Sequence, residues 1–327
     1  MVIARQALLA LTAAALLHPA TARAQDYPNR PVTIIVPLAA GSGMDTLVRL
    51  YAEKLQGIFG QPVVVENRPG ASLMLAAAFV AKAPADGYTL LVSTSSAMAI
   101  NPVLYKSINY DPIKDFVPIS LYVKSPMILV VNPDLPAKTI SDLITLAKEA
   151  KTPLTYSSPG AGVAQHLSME YMKKRFGLDI THVPYKNTPQ SIADIAAGHV
   201  NLGFAEAGAS LPLIKDGKLR ALAVSATTRL PSLPDVPPFS EAAKAPDFEA
   251  VSWHVLFAPA GTPRPILDRL HAEMKKIMSD PEMVKMTEKI GLIPVATPSI
   301  EGIQSYIASE RDKWGNLVRQ LGLEGSM

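Results

Sequence analysis

Short apolar runs that suit buried strands alternate along this chain with patterns typical of helices. Val32–Val36 is continuous and rich in β-branched residues, as a strand covered on both faces of a sheet should be. Beyond a glycine-containing loop, Leu47, Leu50, Tyr51 and Leu55 recur at helical spacing. This alternation predicts an α/β fold in which right-handed crossovers join mainly parallel strands.

The same alternation continues through most of the chain. Further strands are predicted at 63–65, 88–92, 127–131, 154–156, 180–183, 202–204, 219–224 and 251–258. Further helices are predicted at 71–83, 139–150, 163–176, 189–197, 266–278, 281–290 and 300–321. The absence of one flexible linker predicts two lobes joined by more than one strand. We expect lobe 1 to comprise residues 25–123 plus 225–327, and lobe 2 to comprise residues 124–224.

The first 24 residues have the pattern of a secretory signal peptide. Arg5 precedes a short apolar run, residues 7–17, and the small-residue site Ala22-Arg23-Ala24 follows. The run is well short of the ~20 apolar residues that span a bilayer. We expect cleavage after Ala24 and release into the periplasm; the alternative is an uncleaved membrane anchor. Because the chain has no cysteine, a lipid anchor on an N-terminal cysteine of the mature protein is excluded.

The net charge of the chain and its distribution do not indicate a particular partner. The chain has 31 basic and 28 acidic side chains, a formal net charge of +3, and no cationic run. Nucleic-acid-binding proteins usually have a larger and clustered excess of basic residues, so we expect no nucleic-acid partner. A hydrophobic share of 48% and a charged share of 18% are typical of a globular protein.

The first candidate site is the loop after the first strand, Ala40 to Asp45. Its glycines, Gly41 and Gly43, let the backbone turn sharply and come close to a ligand. The helix that follows offers unpaired N–H groups and a positive dipole end, which together suit a carboxylate or a phosphate. Ser42 and Asp45 have the spacing of a helix start. The alternative is a glycine-rich turn with an ordinary capping residue.

Three more loops at strand ends offer hydrogen-bonding groups, where open α/β sheets bind ligands. The loop 157–162 has the same Gly/Ser character, and His166 beyond it is either a ligand contact or a packed, structural side chain. At 185–189, Thr188 can cap a helix that Pro189 begins. A hydroxyl cluster occupies 93–96. The candidate ligand-binding residues are Ala40, Gly41, Ser42, Gly43, Asp45, Ser93, Thr94, Ser95, Ser157, Ser158, Gly160, Gly162, His166, Tyr185, Lys186, Thr188 and Glu206.

Motifs of several enzyme classes are missing from the sequence. The chain contains no G-x-S-x-G, no H-E-x-x-H and no G-x-x-x-x-G-K-[ST]. Gly160-Ala161-Gly162 begins like a dinucleotide-binding fingerprint, but Gln165 stands in place of the third glycine. We therefore expect no catalytic residues, no bound metal and no cofactor.

Several ordered motifs resemble one known family over about residues 27–323. They include Tyr27-Pro28-Asn29-Arg30-Pro31-Val32, Val65-Glu66-Asn67-Arg68-Pro69-Gly70-Ala71, Pro84-Ala85-Asp86-Gly87-Tyr88-Thr89-Leu90-Leu91 and His182-Val183-Pro184-Tyr185-Lys186. In these motifs the chain resembles the Bug family, the extracytoplasmic receptors of tripartite tricarboxylate transporters. The resemblance implies a periplasmic-binding-protein fold whose two lobes close on a ligand held by backbone amides and ordered water. It also implies a large and a small integral membrane subunit as partners.

Two departures from the family pattern fall near the expected pocket. The segment after Ala71, usually glycine-rich in the family, reads Ser72-Leu73-Met74-Leu75 here, and Asn187 replaces the usual glycine after Tyr185-Lys186. We expect a monomeric receptor that binds a small carboxylate by closure of its lobes and delivers it to the membrane subunits. The alternatives are a secreted carboxylate-processing enzyme and a ligand sensor for a membrane signalling partner.

Overall fold

The fold is built from two β-sheets with helices packed around them, in a computed structural model that describes residues 27–246 and 248–327. The predicted signal peptide lies outside the described residues. The strands are β1 (Val32–Val36), β2 (Val63–Asn67), β3 (Thr89–Thr94), β4 (Phe116–Ser125), β5 (Met127–Val131), β6 (Leu154–Ser158), β7 (Ile180–Pro184), β8 (Leu202–Glu206), β9 (Arg220–Val224), β10 (Ser252–Pro259) and β11 (Ile293–Pro294). The helices are α1 (Gly43–Phe59), α2 (Met74–Val80), α3 (Asn101–Leu104), α4 (Ile140–Glu149), α5 (Ala164–Phe176), α6 (Thr188–Ala196), α7 (Ala207–Lys215), α8 (Phe239–Ala242), α9 (Arg264–Met278), α10 (Pro281–Lys289) and α11 (Ile300–Gln320).

The first sheet has the strand order β11-β4-β10-β3-β1-β2, and the second has the order β7-β6-β8-β5-β9. At the centre of the first sheet, Ile34 of β1 lies opposite Val65 of β2 and Leu90 of β3, in parallel ladders. Ile34 and Leu90 are fully buried, which explains why these strands are apolar without alternation. The predicted βαβ arrangement is confirmed for this part of the chain.

Most strands of each sheet run in one direction, as the expectation of mainly parallel sheets requires, and a minority run against them. In the first sheet β10 runs antiparallel to β3 and β4, and in the second β5 runs antiparallel to β8 and β9. Each of these strands receives the chain from the other sheet, so it enters in the direction opposite to its neighbours. Apolar runs predict that a strand exists but do not give its direction.

Two parts of the fold differ from the sequence prediction. The helix predicted at 71–83 begins only at Met74, because Ala71, Ser72 and Leu73 form a turn with positive φ angles. Strand β4 and helix α7 were not predicted at all. Pro118 interrupts the apolar pattern of β4, and Pro212 lies inside α7, so both elements carry a residue that usually argues against them.

Two chain segments cross between the sheets side by side. The first passes from β4 to β5 through residue 126, and the second passes from β9 to β10 through residues 225–251. The backbone N–H of Met127 donates to Ser225 Oγ at 2.8 Å, and the Ser225 N–H donates to the Met127 carbonyl at 2.8 Å. Ser225 is fully buried. These bonds hold the two crossings together.

The segment between β9 and β10 packs against the second sheet. Phe239 and Phe248 stack with ring centroids 3.9 Å apart, and both rings lie 6.3 Å from that of Phe204 in β8. The chain therefore returns to the first sheet only at β10. Within the described ranges, no helix combines the length and the apolar character needed to cross a membrane.

Candidate ligand-binding cleft

A cavity of about 920 Å³ lies between the two sheets and is lined from both. The first sheet contributes segments 37–44 and 69–73 together with side chains at the ends of β3 and β10, and the second sheet contributes the loops that follow β6, β7 and β8. Eight predicted site residues line this cleft: Ala40, Gly41, Ser42, Gly43, Thr94, Lys186, Thr188 and Glu206. Loops separated by more than 160 residues thus meet at one place.

The loop before α1 is organised around its own hydrogen bonds. Ser42 caps the helix, since its Oγ accepts the N–H of Asp45 at 3.2 Å, as the spacing predicted. Gly41 has φ +81°, and its N–H donates to Asp45 Oδ2 at 2.8 Å. The Gly41 amide is therefore occupied. In the described structure the free donors at this helix end are the amides of Gly43 and Met44, the first two of α1.

Asp45 lies beneath this loop and outside the cleft lining. It is 2% exposed, and Arg49 Nε and Asn67 Nδ2 donate to its carboxylate at 3.0 and 2.8 Å. Burial alone would raise the pKa of Asp45, but the hydrogen bonds from Arg49, Gly41 and Asn67 outweigh it and hold the pKa below its usual range. The carboxylate thus fixes the shape of the loop that faces the cleft.

Three helices of the second sheet begin at the cleft. The first residues of α5, α6 and α7 are Ala164, Thr188 and Ala207, and all three line the cavity. Helices α5 and α7 have no side-chain cap, so the first amides of each are unpaired within the described protein. With α1 from the first sheet, four helix N-termini face one space. Their unpaired N–H groups and dipoles favour a bound anion.

Helix α6 begins one residue earlier than predicted. Its N-cap is Asn187, whose Oδ1 accepts the N–H of Gln190 at 2.9 Å, while Thr188 is the first helical residue. Asn187 has an extended backbone and a side-chain amide long enough to reach the first turn. The departure at Asn187 therefore changes the cap of a helix that lines the cleft.

The predicted hydroxyl cluster is only partly in contact with the cleft. Thr94 lines it, and Ser96 beyond it does as well. Ser95 lies behind this surface, where its Oγ is 2.8 Å from Ser252 Oγ. Ser93 is 1% exposed and does not line the cavity.

Most of the predicted residues in the loop 157–162 have internal partners and do not line the cleft. Ser157 Oγ donates to the Ser191 carbonyl at 3.0 Å. Ser158 Oγ donates to the Gly160 carbonyl at 2.7 Å and is 2.8 Å from His182 Nε2, which must therefore be the donor in that pair. Gly162 has φ +79°, and a Cβ there would lie 2.0 Å from Leu104 Cδ2, so only glycine fits.

His166 and Tyr185 also have structural contacts. The Gly162 N–H donates to His166 Nδ1 at 3.1 Å, and the His166 ring stacks on His182 with centroids 4.4 Å apart. Burial lowers the pKa of His166. The Tyr185 hydroxyl donates to Asp194 Oδ2 at 2.7 Å. Neither side chain lines the cleft, which favours the structural alternative for His166.

Glu206 is the acidic group at the inner end of the second-sheet loops. Its Oε1 accepts a hydrogen bond from Gln165 Nε2 at 3.2 Å, and both side chains line the cleft. Burial raises the pKa of the Glu206 carboxyl, and the hydrogen bond from Gln165 opposes the rise. Lys186, in contrast, is exposed at the rim.

Several lining residues were not predicted to be site residues. They include the turn 70–73, Gln165 and Asn187 on the second-sheet side, and Ser252 and His254 at the start of β10. His254 is 6% exposed, and its Nδ1 has no partner in the described chain. Among residues 27–246 and 248–327, no three histidine, aspartate or glutamate side chains are grouped so that they could hold a metal ion.

The two mixed sheets, the double crossing and the large cleft between them define a two-lobed binding protein of the periplasmic type. Comparison with known proteins gives the family. The profile described as tripartite tricarboxylate transporter family receptor matches residues 47–323, and the chain belongs to this family.

Relatives and solved structures agree with this assignment. Protein BugT of Bordetella pertussis is 35% identical over 301 residues, covering 91% of each chain. The structure of R. palustris Rpa4515 with adipate has a TM-score of 0.85 at 35% identity and covers 91% of this chain and 99% of that one. MatC from Rhodopseudomonas palustris with bound malate has a TM-score of 0.79 at 29% identity and covers 89% of this chain and 100% of that one. The predicted resemblance to the Bug family and the two-lobed fold are confirmed.

Proposed function

We propose that this protein is a periplasmic receptor that binds a small carboxylate between its lobes and delivers it to the membrane subunits of a tripartite tricarboxylate-type transporter. The observation that carries the proposal is the convergence of four helix N-termini on one cleft. Unpaired amides at such ends are well suited to carboxylate oxygens. The bound adipate and malate of two related structures support the same chemistry.

The ligand site that we propose is smaller than the predicted set. One carboxylate is held by the amides of Gly43 and Met44, and a second polar group of the ligand meets the starts of α5, α6 and α7. Thr94, Thr188 and Glu206 contribute side chains, because all three line the cleft. Binding across both sheets favours the closed arrangement of the lobes, since the ligand gains contacts only when both walls approach it.

The two crossings and the phenylalanine stack bear on the extent of the lobes. We propose that lobe 2 reaches from residue 126 to about residue 250, because Phe239 and Phe248 pack against β8. On this proposal the second boundary falls near residue 250 and not at the predicted 224/225, where Ser225 is hydrogen-bonded to Met127 of the second sheet. Export of the chain and cleavage after Ala24 belong to the same proposal, as does a monomeric state. The intact mass of protein from a periplasmic extract and its sedimentation would test them.

An enzyme that processes its ligand would need a reactive group in the cleft. Ser158 and His182 do form a hydroxyl–imidazole pair, but Ser158 is fully buried and its hydroxyl proton is committed to the Gly160 carbonyl. This arrangement supports binding without chemistry. Recovery of the ligand chemically unchanged after incubation would agree with a receptor, and a new product would contradict it.

A thermal-shift screen against a panel of carboxylates tests the central proposal. A ligand present at 100 times its Kd adds about 2.7 kcal/mol to the free energy of unfolding, which is easily seen as a rise in Tm. Phosphate and sulfate at equal concentration serve as anion controls. A panel of di- and tricarboxylates, acidic amino acids and aromatic carboxylates that produced no rise would overturn the proposal.

A further inference from the structure

The turn at residues 71–73 has an unusual backbone for its composition. Ala71, Ser72 and Leu73 have φ angles of 45°, 50° and 73°, so three consecutive residues with side chains occupy the left-handed region. Glycine would adopt this conformation without steric conflict, whereas L-residues other than Asn and Asp rarely do. Strain of this kind persists only where the surroundings fix it, and it is concentrated at functional sites.

The surroundings do fix this turn. Asn101, which is fully buried, donates from Nδ2 to the Ser72 carbonyl at 2.8 Å. Ser72 Oγ is 2.9 Å from the hydroxyl of Tyr105, and the Leu73 N–H donates to the Gly70 carbonyl at 3.0 Å. The carbonyl and hydroxyl of Ser72 are thus both occupied by side chains of the neighbouring segment.

The turn is also a wall of the cleft. Residues 69–73 all line the cavity, and Leu73 packs partly against the main hydrophobic core. Since the hydroxyl and the carbonyl oxygen of Ser72 have partners, the side chains of this turn that remain for a ligand are those of Ala71 and Leu73, which are both apolar. Leu38, Met44 and Val163 add further apolar side chains to the same cleft.

We infer that the turn Ala71–Leu73 is a specificity-determining wall that selects carboxylates with an unsubstituted hydrocarbon chain over hydroxylated ones of equal length and charge. This inference rests on the proposed function, since it names the ligand class of the same cleft. A hydroxyl placed against the side chains of Ala71 and Leu73 would lose its water and find no side-chain partner in the wall, which disfavours binding.

The test compares two six-carbon dicarboxylates, adipate and glucarate, that differ in four hydroxyl groups. Leu73→Asn is the informative variant, because Asn is close to Leu in size, tolerates the left-handed region and is polar. Ala71→Asn is a second variant at an exposed position of the same wall. Lys244→Asn is the matched control: Lys244 has φ +51°, is exposed and does not line the cleft.

Calorimetric titration gives the ratio of the Kd for glucarate to the Kd for adipate in each protein, with circular dichroism to establish folding. We expect this ratio to be at least ten in the wild type and at least tenfold smaller in Leu73→Asn. The ratio should also be smaller than in the wild type in Ala71→Asn, and it should change by less than twofold in Lys244→Asn. A wild type that prefers glucarate, or a ratio unaffected by both wall variants, overturns the inference. If the protein binds other carboxylates of the panel but neither adipate nor glucarate, the inference is overturned and the proposed function stands. If it binds no carboxylate, the inference and the proposed function are both overturned.

Discussion

The N–H of Gly41 donates to the carboxylate of Asp45 across 2.8 Å, inside the loop that faces the cleft. The amide at the centre of the predicted anion site is thus used to shape the loop. The Asp45 carboxylate accepts hydrogen bonds from that amide, from the side-chain amide of Asn67 and from the guanidinium of Arg49. We therefore propose that the carboxylate of the ligand meets the unpaired amides of Gly43 and Met44, two residues further along the chain.

The first prediction concerns Asp45 itself. Asp45→Ala leaves the Gly41 N–H and one N–H of the Asn67 side-chain amide without their acceptor, while the other still donates to the Leu38 carbonyl. We therefore expect a loss of roughly 2–3 kcal/mol in the free energy of unfolding and weaker ligand binding. Urea unfolding and calorimetric titration measure the two effects. Asp142→Ala is a matched control, since Asp142 has the same position in the first turn of α4, where it accepts the N–H of Thr139. It should lower stability less than Asp45→Ala does, because Asp142 is exposed to solvent, and leave binding unchanged. Equal effects of both variants on binding would contradict the role given to Asp45.

The second prediction concerns Gly43, the first residue of α1. A Cβ at Gly43 meets nothing within 4 Å and has an ordinary φ, so Gly43→Val should fold normally while its side chain occupies the space of the ligand. We expect at least a hundredfold loss of affinity with a change in Tm of only a few degrees. Gly57→Val, near the other end of α1 and equally open, should change Tm similarly and leave affinity intact. Normal binding by Gly43→Val would place the anion seat elsewhere.

Much of the architecture followed from local patterns in the sequence. Continuous apolar runs predicted β1, β5 and β9, and the Ser42-x-x-Asp45 spacing predicted the start of α1. These features depend on residues that are close together in the chain, so they can be predicted from local sequence patterns. Parts of the candidate loops at 40–45, 93–96 and 185–189 line the cleft, and they were chosen because ligand sites in such sheets form at the carboxyl ends of strands.

The unpredicted features depend on contacts between distant residues. Leu73 adopts a positive φ only because Asn101 and the Gly70 carbonyl hold the turn, and neither is visible in a local pattern. His254 lies in an ordinary apolar strand pattern, and its place in the cleft follows from the pairing of β10 with β3. His166 was ambiguous for the same reason, since its stacking partner His182 is 16 positions away in the sequence.

The third prediction is a pH dependence of binding set by Glu206. Its pKa is raised by burial, so protonation on lowering the pH removes a negative charge from the cleft, and the affinity for a dianionic ligand should rise. Glu206→Gln should bind such a ligand more tightly than the wild type at high pH, with a flatter pH profile. It should also be the more stable protein at high pH, because a raised folded-state pKa means that ionisation destabilises the fold as pH rises.

Titrations of the identified ligand from pH 5 to pH 9 provide the measurement for Glu206. Glu53→Gln, which makes the same charge change at an exposed position of α1, should alter affinity by less than twofold. Weaker binding by Glu206→Gln would show instead that the carboxylate accepts a hydrogen bond from the ligand, such as one from an ammonium group.

The fourth prediction concerns acid stability and the buried His254. Burial lowers the pKa of His254 to about 4, against 6.5 in the unfolded chain. Between these values the unfolded state binds more protons, so the stabilising contribution is complete above pH 6.5 and is lost as the pH falls to 4. At about 1.4 kcal/mol per pKa unit, the loss is roughly 3 kcal/mol. His182, whose pKa is also lowered to about 4, chiefly by burial, acts in the same direction.

Substitution of each histidine by Asn makes this fourth prediction specific. The absolute stability of His254→Asn will change through altered packing against the ring of Tyr122, whose centroid lies 6.0 Å away, so the informative quantity is the slope of stability against pH. Urea unfolding at intervals between pH 7 and pH 4 should show a clear fall for the wild type, a smaller one for His254→Asn, and the smallest for the double variant with His182→Asn. Since Asn does not titrate in this range, a slope in His254→Asn as steep as that of the wild type would mean that His254 takes up its proton equally well in the folded and unfolded protein.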